Sequence, residues 1–163
     1  MTSLDTSSSH TGYAVFENGV LKEYGELTNK KKGEEAVNQM CLDIYGTLSP
    51  LSVDICVCEM TVVERSAHTQ RLLSEIVGTV RGYCLAKDIY FDRLRPTEWR
   101  KIINDNFNVE QPPKKREELK KWSITVVKQL YGIEVSDNVS DAILIGIAYI
   151  CEYGDVEEFK KNL

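Results

Sequence analysis

Long apolar runs are missing from this 163-residue chain, and no stretch approaches the roughly eighteen consecutive apolar residues that a membrane span requires. The opening Met1-Thr2-Ser3-Leu4-Asp5 has neither the basic nor the apolar region of a signal peptide, which points to a cytoplasmic protein. Cysteine pairs at zinc spacing are also lacking. Cys41, Cys56, Cys58, Cys84 and Cys151 are odd in number, scattered and mostly set in apolar runs, so they suit reduced core thiols better than a disulfide frame or a metal site. No internal repeat or low-complexity tract is present.

Positive charge is scarce: 20 Lys and Arg stand against 25 Asp and Glu, a net charge of −5. Taken alone, that balance argues against a polyanionic partner, because phosphate contacts need cations. The distribution of charge along the chain points the other way. Between Arg93 and Lys128 ten Lys/Arg face five Asp/Glu, so this segment carries +5 and the remainder −10. A chain built this way can meet a polyanion locally and still keep carboxylates for a cation.

With 42% apolar and 28% charged residues, the length suits one domain with a real core. That domain is expected over residues 1–153, followed by a charged, peripheral tail over 154–163. Residues 2–7, Thr11–Phe16 and Val20–Leu27 read as a three-stranded antiparallel meander, with Asn18-Gly19 as a two-residue hairpin turn. A helix follows, with Val37, Met40, Cys41, Ile44 and Tyr45 on one face. Val53 to Cys58 is a continuous β-branched run suited to a central buried strand, and it ends in Glu59. A long helix is predicted over Ala67–Ala86, where Gly78 and Gly82 would let another backbone approach, either within the fold or from a second subunit.

Ile89–Phe91 gives a fifth strand, and Arg95-Pro96-Thr97 opens a short helix. Asn104–Pro113 reads as a mobile loop, Lys114–Leu130 as a basic amphipathic helix stopped by Gly132, and Ser136 as the cap of a last, strongly apolar helix. The order describes one α/β domain. It matches the ribonuclease H-like layout: a mixed five-stranded sheet, three antiparallel strands then parallel ones, flanked by helices.

Four carboxylates stand out against this background. Asp5 interrupts an apolar strand, and Glu59 closes the most apolar one. Asp141 heads the run Ala142–Ala148, and Asp137 lies one turn earlier on the same helix face. Burying carboxylates is costly unless they are paired or bound to a metal. If these acids converge, their mutual repulsion calls for cations, and an all-oxygen set suits Mg²⁺. Asp137 has a plainer alternative role, as a favourable charge at a helix N-terminus. His10 reads as an exposed turn residue, and His68 as a residue at a helix start with some prospect of reaching DNA.

In sequence order, four segments carry a resemblance. Ser3-Leu4-Asp5 followed by Thr11-Gly12-Tyr13, then Cys58-Glu59-Met60, Gly78-Thr79-Val80-Arg81-Gly82 and Ser140-Asp141-Ala142-Ile143 together resemble the motifs of the RuvC Holliday junction resolvases. The short length resembles the bacteriophage-type members, which would place the protein in the cytoplasm of a bacterial host. The resemblance implies a homodimeric endonuclease acting on branched DNA. It implies two Mg²⁺, or Mn²⁺, held by Asp5, Glu59, Asp141 and a fourth residue.

That fourth position commonly falls three residues before the last acid, where this chain has Asn138; Asp137 is the nearer chemical substitute. The same resemblance assigns DNA contacts to Lys114, Lys115, Arg116, Lys120 and Lys121, with Lys121 favoured beside the scissile phosphate. Two departures from the pattern are visible. Thr6-Ser7 replaces a Pro-Gly turn, and Val62-Val63 stands where an aromatic residue helps to open the junction, which implies relaxed sequence preference. A branched-DNA-binding module with weak nuclease activity, and an RNA-processing nuclease of the same fold, are the alternatives. A sugar-kinase or actin-like ATP-binding domain also begins with an Asp-led strand, but it needs two such domains and glycine-rich phosphate loops where this chain has Ser7-Ser8-Ser9.

Overall fold

A computed structural model describes residues 1–60, 66–161 and 163. Strands β1 (Thr2–Asp5), β2 (His10–Glu17) and β3 (Val20–Thr28) form the meander, and helix α1 (Gly33–Leu48) follows. Strand β4 (Ile55–Glu59), helix α2 (Ala67–Ala86) and strand β5 (Tyr90–Leu94) complete the sheet. Helices α3 (Pro96–Asn106), α4 (Arg116–Tyr131), α5 (Asp137–Tyr153) and the short α6 (Val156–Lys161) end the chain. The sheet order is β3-β2-β1-β4-β5. Pairing is antiparallel between β1 and β2 and between β2 and β3, and parallel from β1 to β4 and from β4 to β5. This is the expected ribonuclease H-like arrangement.

The hairpin turn forms because Asn18 and Gly19 both adopt positive φ, 50° and 76°, the geometry that matches the twist of two paired strands. Gly132 ends α4 in the left-handed conformation at φ 70°. Strand alternation then sorts the core into two layers. Leu4, Cys56 and Cys58 face α1 and α2, where they pack with Met40, Ile44, Ile76, Val80 and Cys84. Val57 and Phe16 face the other way, against Ile143, Ile147, Trp99 and Val126 from the C-terminal helices. All five cysteines are unpaired thiols, and Cys56, Cys58 and Cys84 are buried. At Gly78 and Gly82, beyond the chain neighbours and the helix's own backbone, nothing among the described residues lies within 4 Å of where a Cβ would sit, so no described backbone makes the close approach that these glycines would allow.

Three expectations need correction. Asn104–Asn106 belong to α3 rather than to a loop, because Lys101 pairs with Asp105 at 2.7 Å and Ile103 is fully buried. The segment that follows is tied down, contrary to the mobile loop expected. The Trp122 indole donates to the Glu110 carbonyl at 2.7 Å, and the Gln129 amide donates to the Asn108 carbonyl at 2.9 Å. Finally, the stretch read as a peripheral tail contributes α6, and Phe159 within it is 2% exposed, set edge-on to Phe107. The charge pattern of the tail concealed one core residue. Val62 and Val63 lie outside the described residues.

Candidate active site

Parallel pairing of β1 with β4 sets the site. Thr2, Ser3 and Leu4 stand opposite Cys56, Val57 and Cys58, so one further step places Asp5 beside Glu59 at the same end of two central strands. Both point to the face covered by the C-terminal helices, as do Ser3 and Val57 two residues earlier. On the other side Asp5 pairs with Gly12 of β2, and this glycine admits the next element. A Cβ on Gly12 would lie 2.0 Å from the carbonyl oxygen of Asn138. Only glycine lets the first turn of α5 rest on the sheet there, and that turn delivers Asp137 and Asp141.

Ser136 caps α5 by accepting from the Val139 N–H at 3.3 Å, which fixes where the helix starts. Two more contacts hold α5 down. The Ser3 hydroxyl donates to the Ala142 carbonyl at 2.7 Å, and Gly146 leaves room for Phe16 and Ser3. The two candidates for the fourth acidic position part company at this point. The Asn138 amide donates to a Glu26 oxygen on β3 at 2.5 Å, whereas Asp137 interacts electrostatically with both Asp5 and Asp141.

The electrostatics show a crowded acid cluster. Burial, reinforced by the charges of Asp141 and Glu59, pushes the Asp5 carboxyl well above the usual carboxylate range; Arg100 opposes the shift. Burial likewise pushes Asp141 up to about 7, against the opposing influence of the Ser123 hydroxyl and Arg100. Asp141 Oδ1 is buried with no hydrogen-bond partner among the described residues. Such an oxygen is costly unless something satisfies it.

Cations and donors from α3 and α4 surround the acids. The Trp99 indole N–H donates to Glu59 Oε1 at 2.9 Å, and an Arg100 terminal nitrogen lies 3.8 Å from the same oxygen. Lys120 Nζ pairs with Asp137 Oδ2 at 2.7 Å, and that carboxylate pushes the ammonium pKa up. Of the five basic residues expected to meet DNA, Lys120 is thus the one the structure brings to the cluster. Lys121 lines a separate cleft of about 430 Å³ with Trp122, Glu110 and Glu118. Lys114, Lys115 and Arg116 are exposed at the start of α4, where Lys115 pairs with Glu118 at 3.3 Å. His10 is exposed and hydrogen-bonded to Ser9, and His68 is exposed at the start of α2.

Trp99, Arg100 and Ser123 are functional neighbours that the sequence did not single out. One signal was available. A helix that begins where a parallel strand ends starts at the carboxyl edge of the sheet, where α/β proteins bind ligands. An adjacent Trp and Arg in its first turns therefore stood close to Glu59. Among the described residues no three His, Cys, Asp or Glu side chains already stand in metal-ligand geometry. The donor set still fits a hard cation: all oxygen, two of its carboxyls pushed up chiefly by burial, and one orphaned carboxylate oxygen.

No family model matches the sequence, and no curated protein matches it either. Solved structures do. RuvC from Thermus thermophilus in complex with a Holliday junction substrate superposes with TM-score 0.71 at 11% identity, over 92% of this chain and 91% of that one. A second Thermus thermophilus RuvC structure gives TM-score 0.67 at 13% identity, covering 93% of this chain and 94% of the other. The yeast mitochondrial Holliday junction resolvase Ydc2 gives 0.62 at 12% identity, over 98% and 80%. At these identities the likeness is one of fold, and it spans nearly the whole chain.

Proposed function

We propose that this chain is a metal-dependent, structure-selective DNA endonuclease that resolves four-way junctions by paired nicks. The observation that carries the reading is the convergence of Asp5, Glu59, Asp141 and Asp137 at one end of the central strands of a RuvC-like fold. Asp5, Glu59 and Asp141, with Asp137 as the fourth, would hold two Mg²⁺ or Mn²⁺ ions. Bound there, such ions acidify water and stabilise the charge that develops on phosphate and leaving oxygens. The products would carry 5′-phosphate and 3′-hydroxyl ends, and forked DNA is a further candidate substrate.

The chain's own residues supply the rest. Trp99 fixes one oxygen of Glu59. Lys120, half-exposed at the rim beside Asp137, is placed to meet a phosphate that approaches the acids. Lys114, Lys115 and Arg116 add exposed positive charge at the N-terminal end of the same helix. Two symmetric nicks need two such sites related by a two-fold axis, so the reading includes a homodimer.

The test is cleavage of a synthetic four-way junction in Mg²⁺, comparing wild type with Asp5→Asn and Glu59→Gln. Loss of nicking with junction binding intact in both variants supports the proposal. Equal cleavage by all three proteins removes it. Binding without chelator-sensitive nicking in the wild type would leave a branched-DNA-binding module, and preferential cleavage of RNA would redirect the assignment within the fold.

A further inference from the structure

Arg100 is an unusual resident of this site. It lies on α3 with its side chain only 17% exposed, and its Nε is buried with no hydrogen-bond partner among the described residues. An unsatisfied guanidinium N–H in the interior is costly, and a native fold keeps such a group where something else requires it. The guanidinium stacks over the Trp99 ring at 4.4 Å from its centroid, while the indole N–H of the same residue holds Glu59. Arg100 itself stops 3.8 Å short of Glu59 Oε1, within ion-pair range but beyond a direct hydrogen bond. Its charge also interacts with Asp5 and Asp141. One fixed cation thus serves three of the four acids, held by stacking rather than by a tight bond to any of them.

Lys120 offers a contrast. It bonds Asp137 directly, but its side chain is 43% exposed at the rim, where solvent screens it. We infer that Arg100 is a built-in counter-cation of the acid cluster, which competes with a divalent ion for Glu59 and thereby sets how tightly that ion is held. The physical basis is Coulombic. A buried positive charge offsets carboxylate repulsion while the ion is absent, and it repels the ion once the ion arrives. Stacked on Trp99 without a direct hydrogen bond to Glu59, the guanidinium can yield that oxygen at little cost. The inference rests on the cluster being a divalent-ion site, as proposed above.

The experiment is Mn²⁺ titration by calorimetry on the full chain without DNA, so that binding is read apart from catalysis. Wild type would be compared with Arg100→Met, Arg100→Lys, Lys120→Met and Asp5→Asn. Removing the guanidinium charge in Arg100→Met should tighten Mn²⁺ binding by about tenfold. Arg100→Lys keeps the charge and should stay within about twofold of wild type; tightening as large as in Arg100→Met would overturn the Coulombic account. Lys120→Met removes a solvated rim partner of Asp137 and should tighten binding less than Arg100→Met does; an equal or larger effect would overturn the assignment to Arg100.

Unchanged or weaker binding in Arg100→Met overturns the inference. Should that variant fail to fold, Arg100→Gln, which also removes the charge, decides in its place, and an affinity equal to wild type overturns the inference. An absence of Mn²⁺ binding in every protein would instead remove the metal-site reading. Binding that persists in Asp5→Asn would place the ion elsewhere and remove the inference too.

Discussion

Ser3 on the first strand donates its hydroxyl to the main-chain carbonyl of Ala142 on the last long helix, at 2.7 Å and fully buried. The bond ties the strand that ends in Asp5 to the residue that follows Asp141. Replacing Ser3 with Ala removes one buried hydrogen bond, for an expected loss of about 1 kcal/mol in urea unfolding. A midpoint unchanged from wild type would show that the bond contributes nothing to holding the helix.

Gly12 should be far less tolerant. A methyl group there meets the Asn138 carbonyl at 2.0 Å, and backbone cannot swing aside as a flexible side chain can. Gly12→Ala should therefore cost about 2–3 kcal/mol and lift the first turn of α5 from the sheet. Misplacing Asp137 and Asp141 by about an ångström should lower junction nicking by roughly a hundredfold. Retention of full activity would mean that the acids of α5 need no fixed distance from Asp5.

Protonation of the acids gives a stability signature that needs no DNA. Asp141 titrates at about 7 in the folded protein against 3.8 as its ordinary value, and Asp5 is raised as well. A carboxyl raised on folding is neutral in both states at low pH and disfavours the fold once it ionises. The contribution of Asp141 to metal-free stability should therefore fall as pH rises from about 4 to about 7 and level off above that. Asp141→Asn removes this penalty. In chelator the variant should match wild type near pH 4 and exceed it by up to about 4 kcal/mol at pH 8. Adding Mg²⁺ should stabilise wild type more than the variant. Thermal melts across pH, with and without chelator, test both statements, and a constant gap from pH 4 to pH 8 would contradict the first.

Trp99→Phe keeps much of the packing but loses the indole N–H that holds Glu59. Nicking should fall by about tenfold, for an expected stability loss of about 1 kcal/mol. Equal single-turnover rates in variant and wild type would show that Glu59 is positioned by its other neighbours.

Phe159 tests the last segment. Its ring is buried against Phe107 and the C-terminal layer of the core, so Phe159→Ala should cost about 3–5 kcal/mol. A truly peripheral residue would show almost no change in unfolding midpoint.

Much of this architecture was legible in the sequence. Alternation and β-branching marked the strands, Asn18-Gly19 marked the hairpin, and Ser136 marked the start of α5. Asp5, Glu59 and Asp141 could be read because acids in apolar strands and at apolar helix heads need a reason to be there. Arg100, Trp99 and Ser123 could not be read in the same way. Each sits in an ordinary amphipathic helix, and only the docking of α3 and α4 turns it toward the acids. Lys120 and Lys121 differ by one position, about 100° around a helix, and no charge count separates residues so placed. Phe159 was hidden for a related reason, since one ring among charged residues gives no periodicity. The contact between Asn138 and Glu26 of β3 was likewise out of reach, because it joins residues 112 positions apart.

The bond between Ser3 and Ala142 joins residues 139 positions apart. While the chain is being synthesised, Asp5 and Glu59 leave the ribosome long before the helix that brings their partners. No unfinished or proteolytically shortened chain that ends before α5 can assemble the four acids. On the function proposed above, a chain released early would therefore be unable to cut DNA.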